Sequence, residues 1–361
     1  MKSPDRKRRL MIAGGGTGGH VLAGVAVADA WKKRFGAAAE ICFVGAHGGI
    51  EEKLVPRAGY SLLLLRLGSL KRTSLTKRLR TFIQLPICLV RSFLILMRLR
   101  PEAVLGVGGY ASGPFVLVAR MFARTAILEQ NSVVGLTNRL LGKVSHLIFS
   151  AFPGTERQFS GRQVLITGNP VRPEIHPMPK AARTPFTIFI FGGSQGAMGI
   201  NTLVLDALPR LGAALKDIRF IHQTGVSDFE RVRDAHQSQG TQARVEKFIY
   251  DMPVAYAQAS LLICRAGSST LAELAAVGRA SILVPFPQAA DNHQEVTARV
   301  FTDRGAALLL LQHKSTGKDL ADLISALIAD TGRIDAMELE ISKLYQPRSA
   351  DMIAQTLADE S

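Results

Sequence analysis

Three glycine-rich strings carry the first chemical suggestion: Gly14-Gly15-Gly16-Thr17-Gly18-Gly19-His20, Gly106-Val107-Gly108-Gly109-Tyr110-Ala111-Ser112-Gly113 and Gly192-Gly193-Ser194-Gln195-Gly196-Ala197. Each follows a short apolar, β-prone run and leads toward helical sequence. Glycines at such a turn let backbone N–H groups approach an anion while the helix N-terminus adds partial positive charge, which suits phosphate or diphosphate. His20 directly follows the first turn, and its imidazole can take a proton from a hydroxyl near neutral pH or simply hydrogen-bond a ligand. Gly14, Gly16 and Gly19 formally satisfy the dinucleotide fingerprint, but the acidic residue that should close the next strand is missing. There Ile41-Cys42-Phe43-Val44 runs into Gly45-Ala46-His47-Gly48, and Glu40 stands at the wrong end. A P-loop is also disfavoured, because His20 occupies the place of its Lys.

Short apolar strands alternate with helical stretches along the whole chain, the pattern of α/β proteins with parallel sheets. Strands are predicted at Leu10-Ala13, Ile41-Val44, Leu62-Leu65, Ala103-Val107, Ala126-Leu128 and Leu147-Phe149. A second series is predicted at Phe186-Phe191, Arg219-His222, Val245-Ile249, Leu261-Cys264, Ser281-Val284 and Ala306-Leu309. Between them, Gly168 to Pro179 holds four prolines and reads as a linker. The expectation is two Rossmann-like domains, 1–168 and 181–345, joined by 169–180 and followed by a terminal segment 346–361. Ligands of such sheets collect at the carboxyl ends of the strands, so the active site is expected in a cleft between two facing domains.

At 361 residues and 47% hydrophobic, the chain can bury large cores, and extended disorder is excluded. Cys42, Cys88 and Cys264 are far apart and form no CxxC, which excludes a disulfide framework or zinc cluster and fits a reducing cytosol. The basic start meets only Leu10 to Ala13 before glycines intervene, so no signal peptide is expected. Thr81 to Leu99 contains Pro86 and Arg91, and is predicted to be helical without spanning a membrane.

The formal net charge of +15 is strongly local: 53–101 has no acidic residue and eleven basic ones, Lys71, Arg72, Arg91 and Arg98 among them. Basic residues beside Phe93, Leu94 and Ile95 suit anionic lipid headgroups over a shallow apolar contact. Nucleic acid is not expected as a partner, since this stretch past Tyr60 has no Tyr or Trp to stack bases and no binding signature occurs elsewhere.

Taken together, the strings resemble the MurG family, cytoplasmic transferases that move N-acetylglucosamine from its UDP donor onto the lipid-linked muramyl-pentapeptide of bacterial cell-wall synthesis. The likeness rests on Gly15 to His20, Gly108 to Pro114, Glu129-Gln130-Asn131, Gly135 to Arg139, Gly168 to Arg172, Gly192 to Ala197, Arg265 to Glu273 and Pro285 to Gln294, in family order over nearly the whole chain. Leu22 and Ala23 depart from the family's aromatic and Pro, and Thr297 replaces a frequent Asn.

The resemblance implies a two-domain GT-B glycosyltransferase that makes lipid II from lipid I by inverting transfer to the C4 hydroxyl, with another UDP-sugar transferase or an epimerase of the same fold as the alternative. Its partners would be UDP-GlcNAc, undecaprenyl-diphosphate-linked muramyl-pentapeptide and an anionic membrane, on the cytoplasmic face of the inner membrane. His20 would be the base and Glu273 would hold ribose beside the chemistry. Ser194 and Arg172 would bind the donor, Ser268, Ser269, Thr270, Leu271 and Ala272 would meet its diphosphate, and backbone around Ile249 and Met252 would read uracil. Asn131, His293 and Gln294 would meet sugar or phosphates, and Thr17, Gly18 and Gly19 would also reach the donor. Gly15, Gly16, Gly108, Gly109, Tyr110 and Ser112 would hold the acceptor diphosphate. No metal and no cofactor are expected. The terminal helix, 350–358, resembles the family segment that packs back on the first domain.

Overall fold

A computed structural model describes residues 7–66, 75–193 and 195–359. Ser194, Lys71 and Arg72, together with the side chains of residues 75–83, lie outside the described residues. The chain divides into two compact units, one formed by 1–173 with 346–361 and the other by 174–345. Each is built on one parallel sheet, so the α/β class holds.

The first unit runs β1 (Arg8–Gly14), α1 (Gly18–Phe35), β2 (Ala39–Ala46), α2 (Glu51–Arg57), β3 (Ser61–Leu65), α3 (Leu75–Leu99), β4 (Ala103–Gly108), α4 (Ser112–Ala119), β5 (Arg124–Glu129), α5 (Leu136–Leu141), β6 (Leu147–Ser150) and β7 (Leu165–Ile166). Its strand order is β3-β2-β1-β4-β5-β6-β7. Strand alternation assigns side chains to two helical layers. Leu10 and Ile12 enter the core with Trp31, Val27, Ile353 and Leu357, whereas Met11 and Ala13 join Phe115, Val116 and Leu96. Ile353 and Leu357 lie on the helix Ser349–Ala358, which is how the chain's last segment joins this unit.

The second unit runs β8 (Phe186–Phe191), α6 (Met198–Ala207), β9 (Ile218–Gln223), α7 (Phe229–Ser238), β10 (Gln242–Glu246), α8 (Met252–Gln258), β11 (Leu261–Cys264), α9 (Ser268–Val277), β12 (Ser281–Leu283), α10 (His293–Thr302), β13 (Leu308–Leu309), α11 (Gly317–Ala329) and α12 (Thr331–Ser342). The order β10-β9-β8-β11-β12-β13 reverses direction between β8 and β11, as the first sheet does between β1 and β4. Those reversals are where doubly wound sheets leave a crevice at the strand ends.

Three strands differ from expectation. β10 ends at Glu246 and not at Ile249, because the Ile249 N–H turns to the Gln223 side chain instead of continuing the ladder. β13 is shortened because the Ala306 N–H returns to Phe301. β7 has only two residues, too short for an apolar period to announce. α3 contains Pro86, and among the described residues no helix is long and apolar enough to cross a membrane.

The second unit buries a polar chain absent from the sequence reading. Asn201 accepts from His222 Nε2 (3.1 Å), and His222 Nδ1 lies 3.2 Å from His236 Nε2. Because Asn201 Oδ1 can only accept, His222 carries its proton on Nε2 and must accept from His236 at Nδ1. A proton added to His222 would set N–H against N–H. Burial, followed by the neighbouring His236, pushes His222 down to about 3, and burial pushes His236 down to about 4. Both imidazoles therefore stay neutral when folded, while the unfolded chain takes up protons below about pH 6.5. Their contribution to stability is complete above that value and is lost as pH falls toward 4 and 3. We expect the urea midpoint to drop from pH 7 to pH 5, and His222→Gln to remove part of that drop; an equal drop in wild type and variant would place its source elsewhere.

Candidate functional site

The turns after β1 and β4 meet at the first sheet's reversal point. The Gly15 N–H donates to the Gly108 carbonyl at 3.1 Å, and a Cβ on Gly109, whose φ is +88°, would stand 2.4 Å from the Gly15 oxygen. These glycines are needed for backbone to lie on backbone. The Gly16 N–H is also committed: it donates to Glu51 Oε2 at 2.9 Å, while Glu51 Oε1 accepts from the Ala46 N–H at 2.9 Å. Glu51 is 1% exposed, and Cβ atoms on Gly15, Gly45 or Gly49 would come within 2.1–2.5 Å of its side chain. In this structure the amides of Gly15 and Gly16, expected to serve an acceptor diphosphate, are taken by a neighbouring carbonyl and a buried carboxylate. Glu51 itself went unread because its partners are main-chain groups.

Beyond Gly16 the first-turn amides of α1, including those of Gly18 and Gly19, point out of the helix end without intrahelical acceptors. Thr17 caps the helix by accepting from the His20 N–H at 3.3 Å. His20 is half-buried, and its Nδ1 lies 3.0 Å from the Gly15 oxygen. A carbonyl only accepts, so Nδ1 carries the proton and Nε2 keeps its lone pair, the form that can receive a proton. Nε2 sits against Gly108, where a Cβ would be 3.0 Å away.

Ser112 is fully buried and donates its hydroxyl to the Gly109 carbonyl at 2.8 Å, which shapes the second turn. Tyr110 is exposed at the same turn. Asn131 lies after β5, its N–H and Nδ2 donating to Glu129 Oε1 at 2.9 and 3.2 Å. Glu129 is 2% exposed, and its other oxygen accepts from Gly135 N–H and Asn138 Nδ2. The second Nδ2 hydrogen and the Oδ1 oxygen of Asn131 leave both a donor and an acceptor for a ligand. Arg172 is half-buried near the end of the first unit.

In the second unit α9 starts after β11 with Gly267 as its cap and no side chain satisfying the first amides. Ser268 is buried, whereas Ser269 and Thr270 are half-buried at that end. Leu271 is fully buried with its N–H on the Gly267 carbonyl. Ala272 is half-buried beside it. One turn on, Glu273 is half-buried and its Oε2 accepts from the buried Tyr256 hydroxyl at 2.8 Å. That bond aims the carboxylate.

Gln223 is 3% exposed and was not read from the sequence. It donates to the Gly193 carbonyl at 2.8 Å and accepts from Ile249 N–H at 3.0 Å, tying the glycine turn after β8 to the loop before α8. Ile249 is buried and its N–H spent, so backbone reading of a base there is reduced to its carbonyl; Met252, half-buried, opens α8. Arg265 holds the Val284 and Pro285 carbonyls, each at 3.1 Å, and burial pushes it down to about 10. It braces the loop in which Gln294 Oε1 accepts from Phe286 N–H and His293 Nδ1 donates to the Ala290 carbonyl. Thr297 is buried with its hydroxyl on the His293 carbonyl.

α3 leaves Ile87, Val90, Phe93, Leu94 and Met97 exposed, Val90 and Leu94 at 60% each. The apolar surface continues beyond 53–101 onto α4 and α5, where Leu117, Met121, Leu136 and Leu140 are also exposed. Exposed Arg91, Arg98, Arg120, Arg139 and Lys143 lie on or beside these same elements.

Residues 10–150 match the glycosyltransferase family 28 N-terminal domain and residues 187–352 its C-terminal domain. The UDP-N-acetylglucosamine--N-acetylmuramyl-(pentapeptide) pyrophosphoryl-undecaprenol N-acetylglucosamine transferase of Myxococcus xanthus is 41% identical, covering 97% of this chain and 92% of that protein. The enzyme of the same name from Citrifermentans bemidjiense is 40% identical, covering 98% and 100%. The crystal structure of Acinetobacter baumannii MurG superposes with a TM-score of 0.81 at 27% identity, covering 98% and 100%. A putative UDP-N-acetylglucosamine 2-epimerase from Listeria monocytogenes reaches 0.69 at 11% identity, over 98% of each chain, and shares the fold alone. Matches at both halves and likeness along nearly the full length make this chain a member of glycosyltransferase family 28, in its MurG branch.

Proposed function

We infer that the chain transfers N-acetylglucosamine from UDP-GlcNAc to the C4 hydroxyl of the lipid-linked muramyl-pentapeptide, converting lipid I to lipid II. The observation that carries this is the near-complete likeness to transferases of that one name. The chemistry requires a base, and His20 with its bare Nε2 takes that role: the hydroxyl proton passes to Nε2 as its oxygen attacks C1. The C1–O bond to the diphosphate breaks on the opposite face, UDP leaves with the electron pair, and the configuration inverts. The uncapped amides of Ser268, Ser269 and Thr270 suit the leaving diphosphate, and Glu273, aimed by Tyr256, suits the ribose. Arg172, Ser194, Asn131, Met252, Ala272, His293 and Gln294 complete the donor contacts of this reading. Thr17, Gly18, Gly19 and the turn of Gly108, Gly109 and Tyr110 serve the anionic groups met by the first unit.

The direct test is transfer of labelled GlcNAc to a lipid-linked muramyl-pentapeptide analogue. UDP-GlcNAc is expected to outperform UDP-glucose and UDP-galactose, and equal use of all three, or epimerised UDP-sugar formed without acceptor, contradicts the assignment. His20→Ala should lower kcat by about 10²- to 10⁴-fold with little change in donor KM. Glu273→Gln should instead raise donor KM by about tenfold, the loss expected for a charge-assisted hydrogen bond.

The apolar face of α3, α4 and α5, ringed by Arg and Lys, suits peripheral contact with an anionic membrane at the cytoplasmic face of the inner membrane. The protein should co-sediment with vesicles containing anionic phospholipid and far less with neutral ones. Leu94→Ser combined with Met121→Ser should weaken that binding while leaving transfer to a detergent-solubilised acceptor in place; unchanged sedimentation would remove this face from the membrane.

A further inference from the structure

The peptide unit between Gly15 and Gly16 is hydrogen-bonded at both ends. Its N–H, on Gly16, donates to Glu51 Oε2 at 2.9 Å, and its C=O, on Gly15, accepts from His20 Nδ1 at 3.0 Å. We propose that Glu51 is a positioning residue for His20, acting through this single peptide group as a carboxylate–peptide–imidazole relay. A carboxylate pulling on the N–H polarises the amide, which places more negative charge on its oxygen and strengthens that oxygen as an acceptor. The imidazole proton is thus fixed on Nδ1, and the lone pair is left on Nε2.

The burial pattern favours this role over a purely local one. Glu51 is 1% exposed, its two oxygens are each met by a backbone N–H, and no Lys or Arg pairs with it among the described residues. A buried carboxylate without a counter-charge is costly unless its acceptors are filled, and it transmits its charge to whatever donates to it. Here one of those donors is the very amide that holds the imidazole. Gly15, Gly45 and Gly49 leave the space that the carboxylate needs. The arrangement resembles in logic a carboxylate that orients a histidine directly, with one peptide unit inserted between them.

The proposal rests on His20 being the base, and the test separates the two. In protein labelled with ¹⁵N-histidine, at about pH 9, well above the ordinary imidazole range, the nitrogen shifts of His20 report which ring atom holds the proton. The His20 signals are identified by their loss in His20→Gln. Wild type should hold the proton on Nδ1, whereas free imidazole side chains favour Nε2. Glu51→Gln keeps the shape but not the charge, and should shift His20 toward the Nε2–H form and lower kcat by about 10- to 100-fold, with donor KM within about twofold. If Glu51→Gln does not fold, Glu51→Asp, which draws the carboxylate back from Gly16, should move both readouts in the same direction.

An Nε2-bound proton in wild type, or an unchanged tautomer in the folded Glu51 variant, overturns the relay. A normal kcat in His20→Gln overturns the base assignment while leaving the tautomer result to decide the relay.

Discussion

A buried negative charge at the carboxyl edge of the first sheet organises what surrounds it. Glu51 has been removed from water, and only two main-chain N–H groups compensate it among its recorded hydrogen bonds. Hydrogen bonds to an ionised acceptor contribute about 1.5–3 kcal/mol each, so two of them are comparable with the penalty of leaving a buried polar group unmatched. The consequence is geometric. The amides of Ala46, at the end of β2, and Gly16, after β1, must converge on one side chain, which forces the two segments together and demands glycine wherever they pass the carboxylate. Glu129 repeats the device after β5, gathering Asn131, Gly135 and Asn138.

The second unit ties the loops after β8 and β10 with a neutral amide. Gln223 both donates and accepts, so a neutral amide joins the Gly193 carbonyl to the Ile249 N–H. Arg265 gathers carbonyls where the acids of the first unit gather N–H groups. The contrast has a chemical consequence at the ligand side. The edge on which the UDP moiety is proposed to sit carries an uncapped helix start and a buried guanidinium, both favourable to a diphosphate.

The sheets and the turns between them were largely legible because each central strand is apolar on both faces and ends at glycines; β1, β4, β8 and β11 all lie where their apolar runs predicted. What local pattern did not show shares a cause. Glycine-rich turns were read as open cups, but Gly15 and Gly16 are filled from inside the protein by groups distant in sequence. Ser112, hydroxyl inward, and the Ile249 N–H, taken by Gln223, are further cases of a side chain or amide claimed by a neighbour that local pattern does not reveal. The family resemblance pointed to loops, yet it could not say which atoms within a loop are already hydrogen-bonded. Nor could charge counting locate the edge of the apolar face, since Leu117 and Met121 lie in sequence that is unremarkable until α4 packs beside α3.

With the Gly15 and Gly16 amides already hydrogen-bonded inside the protein, helix-start amides carry more of the proposed diphosphate binding. Each unit has such a helix start, α1 in the first and α9 in the second, and a helix terminus alone supplies only about 0.3–1 kcal/mol at an exposed position, up to about 2 when partly buried. Micromolar binding corresponds to about 8 kcal/mol, so a helix end by itself cannot account for a nucleotide-sugar site. The remainder has to come from directed contacts to base, ribose and sugar, which is the role proposed for Glu273 with its oriented carboxylate. It also explains why rigid loops matter here: each contact is worth little if the group making it must first be ordered, and Glu51, Glu129, Gln223 and Arg265 fix those loops through main-chain hydrogen bonds that exist before any ligand arrives.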